Sequence, residues 1–394
     1  MNEEFIRARP VLELLASAGY EAYFVGGAVR DTLMGKDIDD VDIATSATPE
    51  QVKKIFSNTV DVGIEHGTVL ILYKGESFEI TTFRTEASYK DYRRPDSVTF
   101  VTSLYEDLKR RDFTMNAIAM DLNGLLYDPF NGQEAIHTQM IQTVGHADER
   151  FREDALRILR AVRFVSQLGF SLHEDTRIAL GKNAPLLTYI AQERKTAEFQ
   201  KMLLGQYPQK ALKIAADEGL FTYFPELGLL AERIESFLSL PLNRLESLEE
   251  WLALMALFCD QDQTMYRHWK LPSKQLKTIG MLVAEVRKRE LANVTASKIY
   301  QLGLDYTLSV ERTWSVFSES TPNFGRILEI HDRMPIRKES VLAVTGNDLM
   351  NWANKAGGPW IKELMNEVIN GILDERVPNQ KELIRQWLIQ ENKL

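Results

Sequence analysis

Residues 25–45 read VGGAVRDTLMGKDIDDVDIAT. The stretch opens on Gly26-Gly27, passes Arg30-Asp31 and closes on Asp40-Val41-Asp42. Glycine lets backbone N–H groups come close to a ligand, and this pair follows the apolar run Tyr23-Phe24-Val25, which reads as the end of a strand. Residues 28–34 then predict a short helix whose N-terminus faces whatever the glycines touch. Free amides beside a helix N-terminus make an anion site, and phosphate is the commonest biological anion there. Asp40 and Asp42 lead into Ile43-Ala44. On a strand, residues i and i+2 share a face, so both carboxylates are expected to converge. Two hard oxygen ligands beside a phosphate suit Mg²⁺, which takes one or two carboxylates plus substrate phosphates. An isolated DxD more often lies in a solvated turn. The surrounding residues shift the balance toward metal-assisted chemistry on a nucleotide.

Taken whole, GGxVRDxLxGxxxxDxDxxT with strand-like ends resembles the signature of the nucleotidyltransferase superfamily. More narrowly, it is similar to the class II tRNA nucleotidyltransferases, the bacterial CCA-adding enzymes. That resemblance implies that Asp40 and Asp42 are catalytic and hold Mg²⁺, and that Gly27 and Arg30 bind the triphosphate.

With 394 residues, the chain can form two to four units, each able to bury a core. Its 44% hydrophobic and 26% charged residues are those of an ordinary soluble protein. No apolar run follows the charges of MNEEFIRARP, and none reaches the 18 residues of a membrane span. The one cysteine, Cys259, lies in an apolar segment and reads as core, so the expected location is the cytoplasm. A net charge of −9 does not exclude a nucleic-acid partner, because local basic patches govern affinity. Such patches run from Arg84 to Arg111 and from Arg150 to Arg163.

Residues up to Gly19 predict a helix with Ile6, Val11, Leu12, Leu14 and Leu15 on an apolar stripe. Residues 20–25 and 40–44 read as strands. Residues 69–73 and 78–83 flank Lys74-Gly75-Glu76 as a hairpin, and residues 117–122 and 125–127 flank Asn123-Gly124 as another. Glu79 lies on the second strand of the first hairpin. Next to the DxD strand it would be a third acidic group at the metal, as superfamily members often have; the alternative is a solvent-facing strand residue. Residues 85–98, TEASYKDYRRPDSV, are polar, charged and broken by proline, so they read as a loop. In the resembled family a loop here is associated with adding the terminal A.

Residues 110–117, RRDFTMNA, resemble the family's second motif, which implies that Arg111 contacts the triphosphate. Residues 150–169 predict one strong helix that places Asp154 and Arg157 on one surface, with Arg160 and Arg163 continuing the row. The alternative for an unknown helix is an ordinary intrahelical Asp–Arg ion pair. Glu153 to Arg160 match the family motif EDxxRxxR, in which the Asp–Arg pair reads the incoming base. Cytosine and adenine both present an amino group beside a ring-nitrogen acceptor, so a carboxylate and a guanidinium complement both. Uracil and guanine reverse that order. Arg160 and Arg163 would join the triphosphate site at the neck. Glu193-Arg194 match the next motif loosely and are assigned a supporting role. His331-Asp332 reads as a helix terminus, and residues 344–349 and 357–359 resemble a C-terminal signature of Bacillus-type members.

The expected architecture is α+β: a nucleotidyltransferase head with a small mixed or antiparallel sheet (1–137), then an elongated all-helical neck (138–205), body (206–300) and tail (301–394). The expected activity is template-independent addition of C, C and A to the 3′ end of tRNA from CTP and ATP, releasing pyrophosphate. The expected partners are tRNA, held at its acceptor end and elbow, with CTP and ATP and no membrane. Oligomeric state is left open, a homodimer among the alternatives. The rivals are a CC-adding enzyme, a poly(A)-adding enzyme and an RNA-binding protein on an inactive scaffold. Deleting residues 88–95 is expected to leave CC addition and to impair the final A selectively. Gel analysis of extended tRNA checks this, and equal loss of all three additions would make the loop a general clamp.

Overall fold

The computed structural model describes residues 2–38, 40–63, 67–86, 98–289 and 294–394. Packing divides the chain into two compact units, residues 1–235 with 268–271, and residues 236–267 with 272–394. That division does not follow the boundaries expected at 138, 206 and 301.

The first unit begins with α1 (Glu3–Ser17), β1 (Ala22–Val25), α2 (Gly27–Leu33), β2 (Asp42–Thr45) and α3 (Pro49–Ile55). It continues through β3 (Thr59–Gly63), β4 (Thr68–Tyr73), β5 (Glu76–Thr82), β6 (Arg84–Glu86), β7 (Val98–Phe100) and α4 (Leu104–Lys109). Next come β8 (Ala119–Met120), β9 (Leu126–Tyr127), α5 (Gly132–His137) and β10 (Met140–Ile141). Helices then dominate: α6 (Ala147–Glu153), α7 (Leu156–Leu168), α8 (Glu174–Asn183), α9 (Gln192–Leu203) and α10 (Pro208–Asp217), with the short β11 (Ser171–Leu172) between α7 and α8.

Seven strands form one sheet in the order β3-β4-β5-β2-β1-β8-β9, in which β2 and β5 are parallel and every other pair is antiparallel. The sheet is mixed, as expected. Alternation gives it two apolar faces. Phe24 and Ile43 point to a core built with Phe5, Ala8, Val11, Leu12 and Leu15 of α1. Their neighbours Val25 and Ala44 point to a second core with Phe83, Leu104, Leu108 and Val144. The α1 stripe differs from the expected one, since Ile6 and Leu14 are exposed while Phe5 and Ala8 are buried. The tighter 3.6-residue row wins over a count of large apolar residues. Both hairpins form, and the first turns on Lys74 and Gly75, both at positive φ, as the strand twist demands of a two-residue turn. Of the expected loop at 85–98, residues 87–97 lie outside the described residues; its two ends pair as β6 and β7.

One expected helix is two. The chain breaks after α6, where Asp154 is extended, with φ −134° and ψ 104°. Its Oδ1 accepts from the Leu156 N–H at 3.0 Å. A short acidic side chain that can satisfy the first amides of a helix favours the start over the interior. In α7, Ile158, Ala161, Val162 and Val165 are buried.

In the second unit, helices Leu248–Phe258, Ser273–Arg289 and Leu304–Phe317 pack together, and a separate core includes Ile327, Leu349, Val368, Ile384 and Leu388. The fully buried Glu250 is held by Arg312 at 3.0 Å. Cys259 is buried, and His331-Asp332 lies in the last turn of Phe324–Arg333. Among the described residues no helix is long and apolar enough to cross a membrane.

Candidate active site

A cleft of about 720 Å³ opens where the ends of β1, β2 and β5 meet α7. Arg30, Arg84, Arg110, Arg111, Arg157, Arg160, Arg163 and Arg194 line it, with Asp42, Glu79, Asp112 and Asp154 among them.

The sheet builds its floor. Gly26, at φ +76°, ends β1 and caps α2. A Cβ there would stand 3.2 Å from Asp42 Oδ2 and 3.4 Å from an Arg111 nitrogen, so glycine lets the carboxylate and the guanidinium share the space in front of the backbone. Asp42 is the first residue of β2 and pairs in register with Glu79 of the parallel β5. Both side chains are exposed to the cleft. The protein around Asp42 raises its pKa by burial, Arg111 opposes this, and the negative charges of Glu79 and Asp40 add to the rise. Asp40 departs from expectation. It precedes the strand, because the ladder with β1 starts at Val25 opposite Asp42. It keeps the exposed face of the alternation but lies outside the lining.

The second motif supplies the wall. Asp107 accepts from Arg110 at 2.7 Å and from Arg111 at 3.2 Å. Burial would raise its pKa, and the two guanidiniums outweigh that and hold it low. Arg111 keeps a buried Nε–H that has no partner among the described residues. Asp112 is buried. Its Oδ2 accepts from Arg160 Nε at 2.7 Å, and its Oδ1 accepts from Asn116 Nδ2 at 3.1 Å and from the Phe113 N–H at 2.8 Å. Burial again pushes upward, yet Arg160 and Asn116 hold this carboxyl well below the usual carboxylate range. Asn116 Oδ1 accepts in turn from Arg30 Nη1 at 2.7 Å, while Asp31 holds the rest of that guanidinium at 2.8 and 2.9 Å.

The helical side differs most from the sequence reading. Asp154 and Arg157 both line the cleft, and the Arg157 N–H donates to the Asp154 carbonyl at 3.0 Å, but the break after α6 takes Asp154 off the helical surface and their side chains bind other partners. Asp154 Oδ2 pairs with Arg194 of α9 at 3.2 Å. Arg157 Nη1 donates to Glu153 at 2.7 Å and to the Arg150 carbonyl at 3.2 Å, and its Nη2 donates to the Arg110 carbonyl at 2.9 Å. Arg163 donates from Nε to the buried Glu198 at 2.6 Å and from Nη1 to Gln167 at 2.9 Å. The structure thus gathers Gly27, Arg30, Asp42, Glu79, Arg111, Asp154, Arg157, Arg160 and Arg163 at one cleft and leaves Asp40 outside its lining. Arg194, given only a supporting role from sequence, lies in the lining too. Asp112 and Asn116 were within a quoted motif, four residues apart, and that spacing was the available signal. Glu198, 35 residues from Arg163, left none.

A glycine-led helix, an aspartate starting a central strand and an arginine-lined cleft define a nucleotidyltransferase head. The family model described as "Poly A polymerase head domain" matches residues 22–142, and that for tRNA nucleotidyltransferase domain 2 matches residues 244–388. The CCA-adding enzyme of Geobacillus kaustophilus is 47% identical over 100% of this chain and 98% of its own, and that of Bacillus cereus (strain Q1) is 43% identical over 100% of both. The crystal structure of the Bacillus stearothermophilus CCA-adding enzyme in complex with CTP superposes with a TM-score of 0.89 at 43% identity, over 100% of this chain and 98% of that one. The Thermotoga maritima CCA-adding enzyme complexed with tRNA shares the fold, with a TM-score of 0.64 at 21% identity over 98% of this chain and 95% of that one. The chain belongs to the CCA-adding enzymes.

The buried Asp112 sets an acid dependence. Its folded pKa is depressed, so its stabilisation is complete above the unfolded value of about 3.9 and is lost as pH falls below it. Asp112→Asn removes the charge that Arg160 pairs with, and should cost about 1–3 kcal/mol at neutral pH. The gap to the parent should narrow by about 1 kcal/mol between pH 6 and pH 3, because only the parent loses this term. Thermal unfolding across that range checks it.

Proposed function

We propose that this chain adds C, C and A to the 3′ end of tRNA from CTP and ATP without a nucleic-acid template, and releases pyrophosphate. The observation that carries this reading is the meeting of Asp42 and Arg111 in front of Gly26, at the floor of a cleft whose other wall holds Asp154 and Arg157. One end suits a triphosphate and the other suits a base. The relatives named above, one bound to CTP and one to tRNA, support the same substrates here.

In this reading Gly27, Arg30, Arg111, Arg160 and Arg163 hold the triphosphate. Each of these four arginines is already oriented by a carboxylate, and each keeps N–H groups beyond those bonds. A preordered guanidinium loses less freedom on binding. A divalent cation fits the floor. Burial raises the pKa of Asp42 first, Arg111 opposes it, and the neighbouring Glu79 and Asp40 add negative charge that a cation would offset. Asp40 and Asp42 would hold the ion, we take Mg²⁺ as the ion, and Glu79 opposite Asp42 is the third candidate. Mg²⁺ takes one or two carboxylates and completes its shell with nucleotide phosphates and water. When bound, it would lower the pKa of the attacking 3′-hydroxyl and offset charge on the phosphate. The arginines align the α-phosphate for in-line attack and stabilise the departing pyrophosphate.

Asp154 and Arg157 read the base. Asp154 accepts from the amino group that C and A share, and Arg157 offers its Nε–H and remaining Nη2–H to the ring nitrogen. Arg194 holds the Asp154 carboxylate meanwhile. We assign catalysis to residues 1–137, base reading to 138–205, and tRNA binding to 301–394 beyond the body at 206–300. The single buried cysteine suits a reducing compartment, and we place the reaction in the cytoplasm.

Products from tRNA lacking its 3′ end, made with each NTP alone and with CTP plus ATP, separate this reading from its rivals. CCA addition is expected; CC alone or runs of A would replace it. Asp42→Ala should lower both additions by about 10³-fold or more. The Asp154 side chain also accepts from the Leu156 N–H at the start of α7, so Asp154→Ala mixes two losses. Asp154→Asn keeps an oxygen for the Leu156 N–H and turns the other atom into a donor. It should relax rejection of UTP and GTP by about 5- to 150-fold with a smaller loss of stability than Asp154→Ala. Values of kcat/KM for all four NTPs decide, and unchanged selectivity removes the base-reading role.

A further inference from the structure

Phe164 lies on α7 with 4% of its surface exposed and forms part of the cleft lining. Three guanidiniums pack on its ring: Arg163 at 4.2 Å from the centroid, Arg30 at 5.3 Å and Arg160 at 5.5 Å. Arg30 comes from α2 and the other two from α7, so the ring joins cations from both sides of the cleft. The ring is itself fixed edge-on by Phe113 at 5.7 Å and 85°. Each of the three arginines is bound on its edge by a carboxylate, Asp31, Asp112 or Glu198. Those bonds fix the edges of the guanidiniums and leave their planar faces to be placed. An aromatic ring carries negative charge on its face, which attracts cations and tolerates several at once.

We propose that Phe164 is a positioning residue for the triphosphate: its ring electrostatics, beyond its bulk, hold Arg30, Arg160 and Arg163 together with their free N–H groups ready for phosphate oxygens. This rests on the reading of the cleft as the CTP and ATP site. A leucine-like filler would occupy the volume and leave three mutually repelling cations without the attraction that gathers them. Since CTP and ATP share the triphosphate, the ring should matter equally to both.

The test replaces Phe164 in the full chain with 4-fluoro-, 3,5-difluoro- and 3,4,5-trifluorophenylalanine, which withdraw charge from the ring face at nearly constant shape. Equilibrium binding of CTP and of ATP is measured, together with melting temperature. The expected result is a stepwise weakening that reaches about 5- to 30-fold at the trifluoro ring, with the same factor for both nucleotides. Phe164→Leu should be at least as weak as the trifluoro variant. A flat series, with melting temperature falling or unchanged, would overturn the proposal and make Phe164 a packing residue. A graded loss for one nucleotide only would overturn it as well, by placing the ring at the base. Failure of the parent chain to bind either nucleotide would remove the reading of the cleft, an outcome distinct from a flat series on a chain that binds.

Discussion

The buried carboxylate of Asp112 is the contact on which the cleft depends. It lies between Arg160 of α7 and Asn116, which passes the connection to Arg30 of α2. Eight arginines line one cavity, and uncompensated they would repel one another at low dielectric. Asp112, Asp107, Asp31, Glu153 and Glu198 offset that repulsion, each bound to an arginine and each off the floor where Asp42 stands. Buried ion pairs contribute little net stability but are costly to break, so such a network fixes one arrangement. Here the arrangement is a set of cations gathered around one cleft.

The sheet contributes the opposite charge at one point. The parallel pairing of β2 with β5 sits in the middle of the seven strands and brings Asp42 level with Glu79. Strands buried on both faces move little, so the carboxylate that faces Arg111 is set by the two apolar cores and not by a loop. The route from Phe24, Val25, Ile43 and Ala44 to the chemistry is short. They anchor the strand ends, and the strand ends present Gly26 and Asp42.

Much of this was legible in the chain. The hairpins at Lys74-Gly75 and Asn123-Gly124 follow from local turn chemistry, and the family signatures at 25–45, 110–117 and 153–160 contain many of the cleft-lining residues, though not Glu79, Arg84, Arg163 or Arg194. What escaped reading is what depends on distance or on competition. The i, i+3 spacing of Asp154 and Arg157 places Asp154 on a helix surface, but its side chain binds the Leu156 amide instead, where the helix breaks. Its partner Arg194 lies 40 residues away, and no spacing rule reaches across that gap. Glu79 could be placed only once the neighbour of β5 was known, since a parallel pairing leaves no turn signature in the sequence.

The concentration of cations has a consequence for the rest of the molecule. With eight arginines against four carboxylates the lining carries +4, so the remainder of a chain of net charge −9 carries −13. An RNA backbone therefore meets a field that, taken over the chain as a whole, discourages casual adsorption. A polyanion is drawn to the cleft and repelled by the net charge of the remainder, a contrast that dissolved salt weakens on both counts.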